Sequence, residues 1–270
     1  LKWGTAGSGD GQMSWPYSIT SDLSGNFYIA DSDNNRIQKF DSSGGYLSKW
    51  GSVNGSNDGQ FNVPWDIATD SFGNVYVVDS GNSRIQKFDS NGNYITKWGS
   101  YGSGNGQFSW PIGIITDSSG NVYVADFNNH RIQKFGSDGN YITKWGSRGS
   151  GDGQFNFPRC ITIDFSGNIY VTDSVNHRIQ KFDSNGNFIL KWGNQGSGDG
   201  QLNVPRGIIT DFSGNLYVTE LGNDRIQKFD NSGNFFLKFG AIGGGKDQFI
   251  DPSSITILPD GRFAIADPGN

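Results

Sequence analysis

The residues of this chain best suited to chemistry occupy three neighbouring positions that change from one copy of an internal repeat to the next. Immediately after a recurring proline stand Tyr17, Trp65, Ile112, Arg159, Arg206 and Ser253. One place further on are Ser18, Asp66, Gly113, Cys160, Gly207 and Ser254. Just before the proline come Trp15, Val63, Trp110, Phe157, Val204 and Asp251. A guanidinium fork binds carboxylates in two-point fashion, and an aromatic face takes a cation, a sugar ring or a peptide plane. Tyr17, Trp65, Asp66, Trp110, Arg159 and Arg206 are therefore candidate ligand-binding residues. The competing reading is that varied bulky residues only fill a central funnel, and the sequence leaves both open.

The remaining reactive side chains offer no complete catalytic set. His130 and His177 are the only histidines and hold one turn position in two successive repeats. A zinc site needs further ligands, and Cys160 is a poor candidate, so no metal or other cofactor is expected. Phe127, His130 and His177 lie in turns expected to share a face with the proline positions, and they join the candidate ligand-binding residues. Asp31/Arg36, Asp79/Arg84, Asp126/Arg131, Asp173/Arg178 and Glu220/Arg225 recur in five copies. A charged pair identical in every copy reads as a pin for the intervening turn rather than an acid–base ring. Glycine-rich runs such as Gly7–Gly11 look faintly like calcium-binding repeats but recur at the wrong period, and read as flexible connecting loops. Asn54-Gly-Ser56 is the single glycosylation sequon, a pattern with many false positives.

Composition narrows the partners. The net charge is −5 and the pI about 4.9. Of the 21 lysines and arginines, only Arg148, Arg159, Arg206, Lys246 and Arg262 fall outside fixed repeat positions. A basic nucleic-acid face is not expected from so few. One cysteine excludes an internal disulfide framework. No apolar run reaches the roughly 18–20 residues that span a bilayer, so membrane insertion by a helix is not expected.

The scaffold is written more plainly. Trp-Gly or Phe-Gly pairs end at Gly4, Gly51, Gly99, Gly146, Gly193 and Gly240, a period of 47 or 48 residues. Each unit reads as four strands, here A to D: one after the proline (Pro111-Ile-Gly-Ile-Ile-Thr), VYVAD, RIQKF and YITKW. Gly-Asn turns join A to B and C to D. Four short strands in such a period predict an all-β radial propeller, in which A lines the channel and the D–A and B–C loops share one face. Pro111, Gly113-Ile114, Asp117, Gly120-Asn121, Tyr123–Asp126 and Asn129–Ile132 closely resemble the consensus of the NHL repeat family. The resemblance covers the chain and implies a six-bladed β-propeller. It weakens in the last unit, where Leu258 and Arg262 replace the consensus Asp and Asn.

Six units at this period need about 13 residues more than the 270 present, and the shortfall falls on strand C of the sixth. The expectation is a single domain over residues 1–270, a fragment of a longer chain, with Leu1–Gly4 as the outer strand of an incomplete sixth blade. The functional expectation is a non-enzymatic binding or assembly propeller that presents its variable face to a protein, peptide or glycan. Outside the cell, at its surface, is the expected location. Two alternatives accompany it. One is a metal-dependent hydrolase or lyase, since the resemblance brings in lyases of similar fold. The other is a structural protein that self-assembles by strand exchange through the incomplete blade.

Overall fold

The computed structural model describes residues 4–258 and 260–270. Five four-stranded antiparallel sheets follow one another along the chain, each in the order A-B-C-D. In the first blade these strands are Pro16–Ser21, Phe27–Asp31, Arg36–Phe40 and Tyr46–Gly51. In the third they are Pro111–Thr116, Val122–Asp126, Arg131–Phe135 and Tyr141–Trp145.

The expectation of a sixth blade lacking only strand C needs correction. The structure has five full blades, and the sixth unit contributes a two-stranded sheet, Ser254–Ile257 paired with Phe263–Ala266. Strands A and B are what the described residues hold of that unit. Of the proposed outer strand Leu1–Gly4, residues 1–3 lie outside the described residues, and Gly4 is in no strand. The circle of A strands nevertheless closes. Ser254–Ile257 packs against Pro205–Thr210 on one side and Pro16–Ser21 on the other. The Ser253 hydroxyl donates to the Tyr17 carbonyl at 2.8 Å, and Ser21 Oγ to the Ile257 carbonyl at 3.4 Å.

Every B strand of the full blades is buried along its whole length, as a strand covered on both faces must be. The core is thus a series of seams between successive blades. One seam joins Tyr76, Val78 and Ile85 of the second blade to Ile114, Val124 and Phe135 of the third, with Phe108 between. Each such side chain contributes about 1.5–3 kcal/mol when fully buried. Trp98 lies across the next blade's C–D turn at Gly139, whose φ is +87°; a Cβ there would sit 2.7 Å from the indole. Only glycine suits that turn.

One arginine per blade fixes the D–A loop. Arg131 Nε donates to Asp126 Oδ2 at 2.7 Å, Nη1 to the Ser103 carbonyl at 2.6 Å, and Nη2 to the carbonyls of Gly104 and Gln107 at 2.8 Å. Arg36, Arg84, Arg178 and Arg225 repeat the pattern. The glycine-rich loop expected to be flexible is therefore clamped at three carbonyls. Its glycines permit the close turn, and the arginine supplies the order.

Candidate anion site at the channel mouth

The residues following the prolines all sit on A strands, so ring closure brings them to one mouth of the channel. An open cleft of about 290 Å³ is lined there by Tyr17, Trp65, Asp66, Arg159, Cys160 and Arg206, among others. The aromatic side is ordered. Tyr17 and Trp65 stack with centroids 4.1 Å apart and planes 8° apart, and Trp110 meets Trp65 edge-on at 6.2 Å. Arg159 lies across from them, its Cζ 5.9 Å from the Trp65 centroid and 5.5 Å from that of Phe127. Gly113 makes this approach feasible, because a Cβ there would lie 2.0 Å from the Arg159 carbonyl oxygen.

Asp251 acts on Arg206 from nearby, but neither guanidinium touches a carboxylate among the described residues. Arg206 Nε is buried and has no hydrogen-bond acceptor among them. Burial, then the charge of Arg206, pulls Arg159 down to about 10. Burial likewise lowers Arg206, with Asp251 and Tyr17 opposing. Both remain charged at neutral pH. The Tyr17 hydroxyl is pushed up by burial, while Arg206 and Arg159 pull it back, so it shares their space.

Asp66 lies deeper in the same cleft and has a different task. It accepts hydrogen bonds from the Ser18 hydroxyl, from the Ile67 amide at 2.9 Å and from the Ile114 amide at 2.8 Å, joining three blades. Burial outweighs these donors and raises its carboxyl to about 6. Cys160 lies nearby, pushed up to about 12 by burial and then by Asp66, so it is a thiol at neutral pH and a weak nucleophile.

The turn residues divide. Phe127 joins the mouth by stacking on Arg159 and lies 4.6 Å from Phe157. His130 is buried against Phe157, and its Nδ1 accepts the Phe157 amide at 3.1 Å. Burial, then Arg148, lowers its pKa, in keeping with a neutral acceptor. His177 accepts the Val204 amide in the same way at 3.1 Å, one blade further on. The two histidines thus serve their turns. Ser18, Cys160, Ser253 and Ser254 also line the cleft, although they were not singled out as ligand-binding residues. Their repeat positions, beside those that were, carried the signal. No group of three or more His, Cys, Asp or Glu among the described residues is placed to hold a metal ion.

Known proteins share this framework. Residues 61–88, 108–135 and 155–182 match the NHL repeat family. A segment of 49 residues is 45% identical to Protein lin-41 of Caenorhabditis elegans, covering 18% of this chain and 4% of that protein. The chain therefore spans a small fraction of the curated relative it matches. A chain of a nidogen/laminin complex superposes with a TM-score of 0.67 at 19% identity, over 94% of this chain and 85% of the other. Virginiamycin B lyase from Staphylococcus aureus gives 0.67 at 18% identity, over 94% and 78%. A protein of unknown function from Bacteroides thetaiotaomicron gives 0.75 at 15% identity, over 98% and 70%. At such identities these likenesses speak for the fold. The chain is a β-propeller, and three stretches of it match the NHL repeat.

Proposed function

We propose that this propeller is a non-enzymatic binding module that captures a carboxylate on an acidic loop of a partner protein at the channel mouth. The observation that carries the reading is the pair of half-buried guanidinium groups, Arg159 and Arg206, which line one cleft without an ion-paired carboxylate among the described residues. Bringing two like charges out of water is costly, and an arriving anion recovers that cost through charge-assisted hydrogen bonds. Tyr17 and Trp65 offer a flat apolar wall for the backbone or side chains beside the carboxylate.

The test is calorimetric titration with a triglutamate peptide, run against the native chain and the Arg159→Gln/Arg206→Gln variant. Binding by the native chain, lost in the variant, supports the reading. Binding of a galacturonate trimer in place of the peptide would move the assignment to an acidic glycan. Equal behaviour of the two proteins would refute it.

A further inference from the structure

The face opposite the channel mouth carries apolar side chains that the fold does not use. Each full blade runs A-B-C-D, so its A–B and C–D turns end together, away from the D–A loops. On the A–B turns stand Leu23, Phe72, Phe165 and Phe212, all exposed. Phe165 and Phe212 belong to the fourth and fifth blades and stack with centroids 6.1 Å apart and planes 24° apart. Even so, 79% and 66% of their surface stays in water.

The repeat itself shows that the turn has no need of them. In the fourth blade the Asp164 carboxylate holds the turn. It accepts the amides of Ser166 and Asn168 at 2.9 Å, the Asn168 side chain at 2.8 Å and the Tyr170 hydroxyl at 2.9 Å. Asp117 makes the same four bonds in the third blade, where Ser118 and Ser119 fill the turn. A phenyl pair left in water on a turn that serine serves equally well marks an interaction surface.

Charge indicates what covers it. Eleven aspartates lie in the A–B and C–D turns, against five lysines at the ends of the C strands and Arg262. That balance of −5 equals the net charge of the whole chain, so the rest of the molecule is neutral. On the C–D turns of the fourth and fifth blades, Asn187 and Asn234 donate to Asp183 and Asp230 at 2.8 Å and lower both carboxyls, which stay ionised. The lysines of these blades are occupied. Lys181 donates to the Asn231 carbonyl at 3.1 Å, and Lys228 pairs with Asp211 at 3.5 Å. A second copy docked through the same face would set like charges together, and an anionic lipid surface would be repelled.

We infer that this face is a docking surface for a basic, apolar segment of a partner protein. Its apolar side chains cover Phe165 and Phe212, and its lysines and arginines meet the turn carboxylates. The mouth and this face lie at opposite ends of the channel, and either proposal stands without the other.

The experiment titrates a fluorescein-labelled peptide, Lys-Leu-Arg-Trp-Lys-Leu-Arg, into the whole protein and follows anisotropy. Saturable one-to-one binding is expected, weakened at least about tenfold in Phe165→Ser/Phe212→Ser and progressively by added salt. That variant installs the residue type the third blade already carries, and its thermal melting should match the native chain. Two altered peptides leave the protein's folding untouched: one with serine for its leucines and tryptophan, one with glutamate for its basic residues. Both should lose binding. A benzophenone in place of the tryptophan should cross-link within residues 164–186 and 211–233. Absence of saturable binding, equal affinity for the folded double variant, or cross-links confined to other surfaces would overturn the proposal. Self-association lost in the double variant and indifferent to the peptide would overturn it in favour of a second copy. Adsorption to phosphatidylcholine vesicles, lost in the same variant while the peptide stays unbound, would overturn it in favour of a lipid surface.

Discussion

Arginine serves opposite ends in two regions of this molecule. On the rim of every full blade it is saturated: Arg131 holds one carboxylate and three carbonyls, and four other blades repeat the set. At the channel mouth, Arg159 and Arg206 hold neither among the described residues. The rim arginines neutralise buried acids and tie each loop to its blade, so their charge is spent within the fold. The mouth arginines leave theirs available. Residue type alone therefore says little about function here, and the local balance of donors and acceptors decides it.

The largest expected effect breaks the rim. Arg131→Ala leaves the Asp126 carboxylate buried beside three carbonyls that lose their donor, and should cost about 3–5 kcal/mol in urea denaturation. A loss under about 1 kcal/mol would show that the clamp is decorative. Next in size is the loss of acidic-peptide binding in Arg159→Gln/Arg206→Gln, expected to reach at least about tenfold by calorimetry. Trp65→Ala removes the stacked partner of Tyr17 and one of the two rings flanking Arg159. It should weaken the same binding by about 1–2 kcal/mol. Stability that falls in step with binding would favour the view that these rings merely fill the funnel.

The smallest effect concerns Asp66. Its folded pKa of about 6 exceeds the ordinary carboxylate value of 3.8, so between these values the folded chain holds a proton that the unfolded chain has lost. The group's contribution to stability is therefore full below the lower value and declines as pH rises through this window. Asp66→Asn, which stays neutral, should gain stability relative to the native chain between pH 4 and 7. Denaturation curves at several pH values will show the slope, and a constant difference would contradict the assignment.

Much of this was legible in the sequence because a repeat reports on itself. Identical Asp–Arg pairs in five copies announced a structural pin, and the changing residues after each proline announced the mouth. What stayed hidden was geometric. The residue before each proline adopts a positive φ, about 50° at Trp15 and 54° at Trp110, which is strained for a bulky side chain. No propensity would place tryptophan there. The clamp on the glycine-rich loops was missed because its carbonyls are backbone atoms, which have no sequence signature. Blade count differs at the end of the chain: the period implied six blades, and the described residues form five full blades and a two-stranded sixth unit, with most of the expected outer strand outside them. The stacking of Arg159 between Trp65 and Phe127 joins three successive units, and only the packing of blade against blade brings those residues together.

The central claim is that charge at the channel mouth is held for a partner rather than for the fold. Urea denaturation of Arg159→Gln/Arg206→Gln beside Arg131→Ala tests it most directly. The account predicts that the double variant matches or exceeds the native stability, while Arg131→Ala falls well below it. A double variant destabilised as severely as Arg131→Ala would contradict the claim, because the mouth arginines would then be holding the structure together.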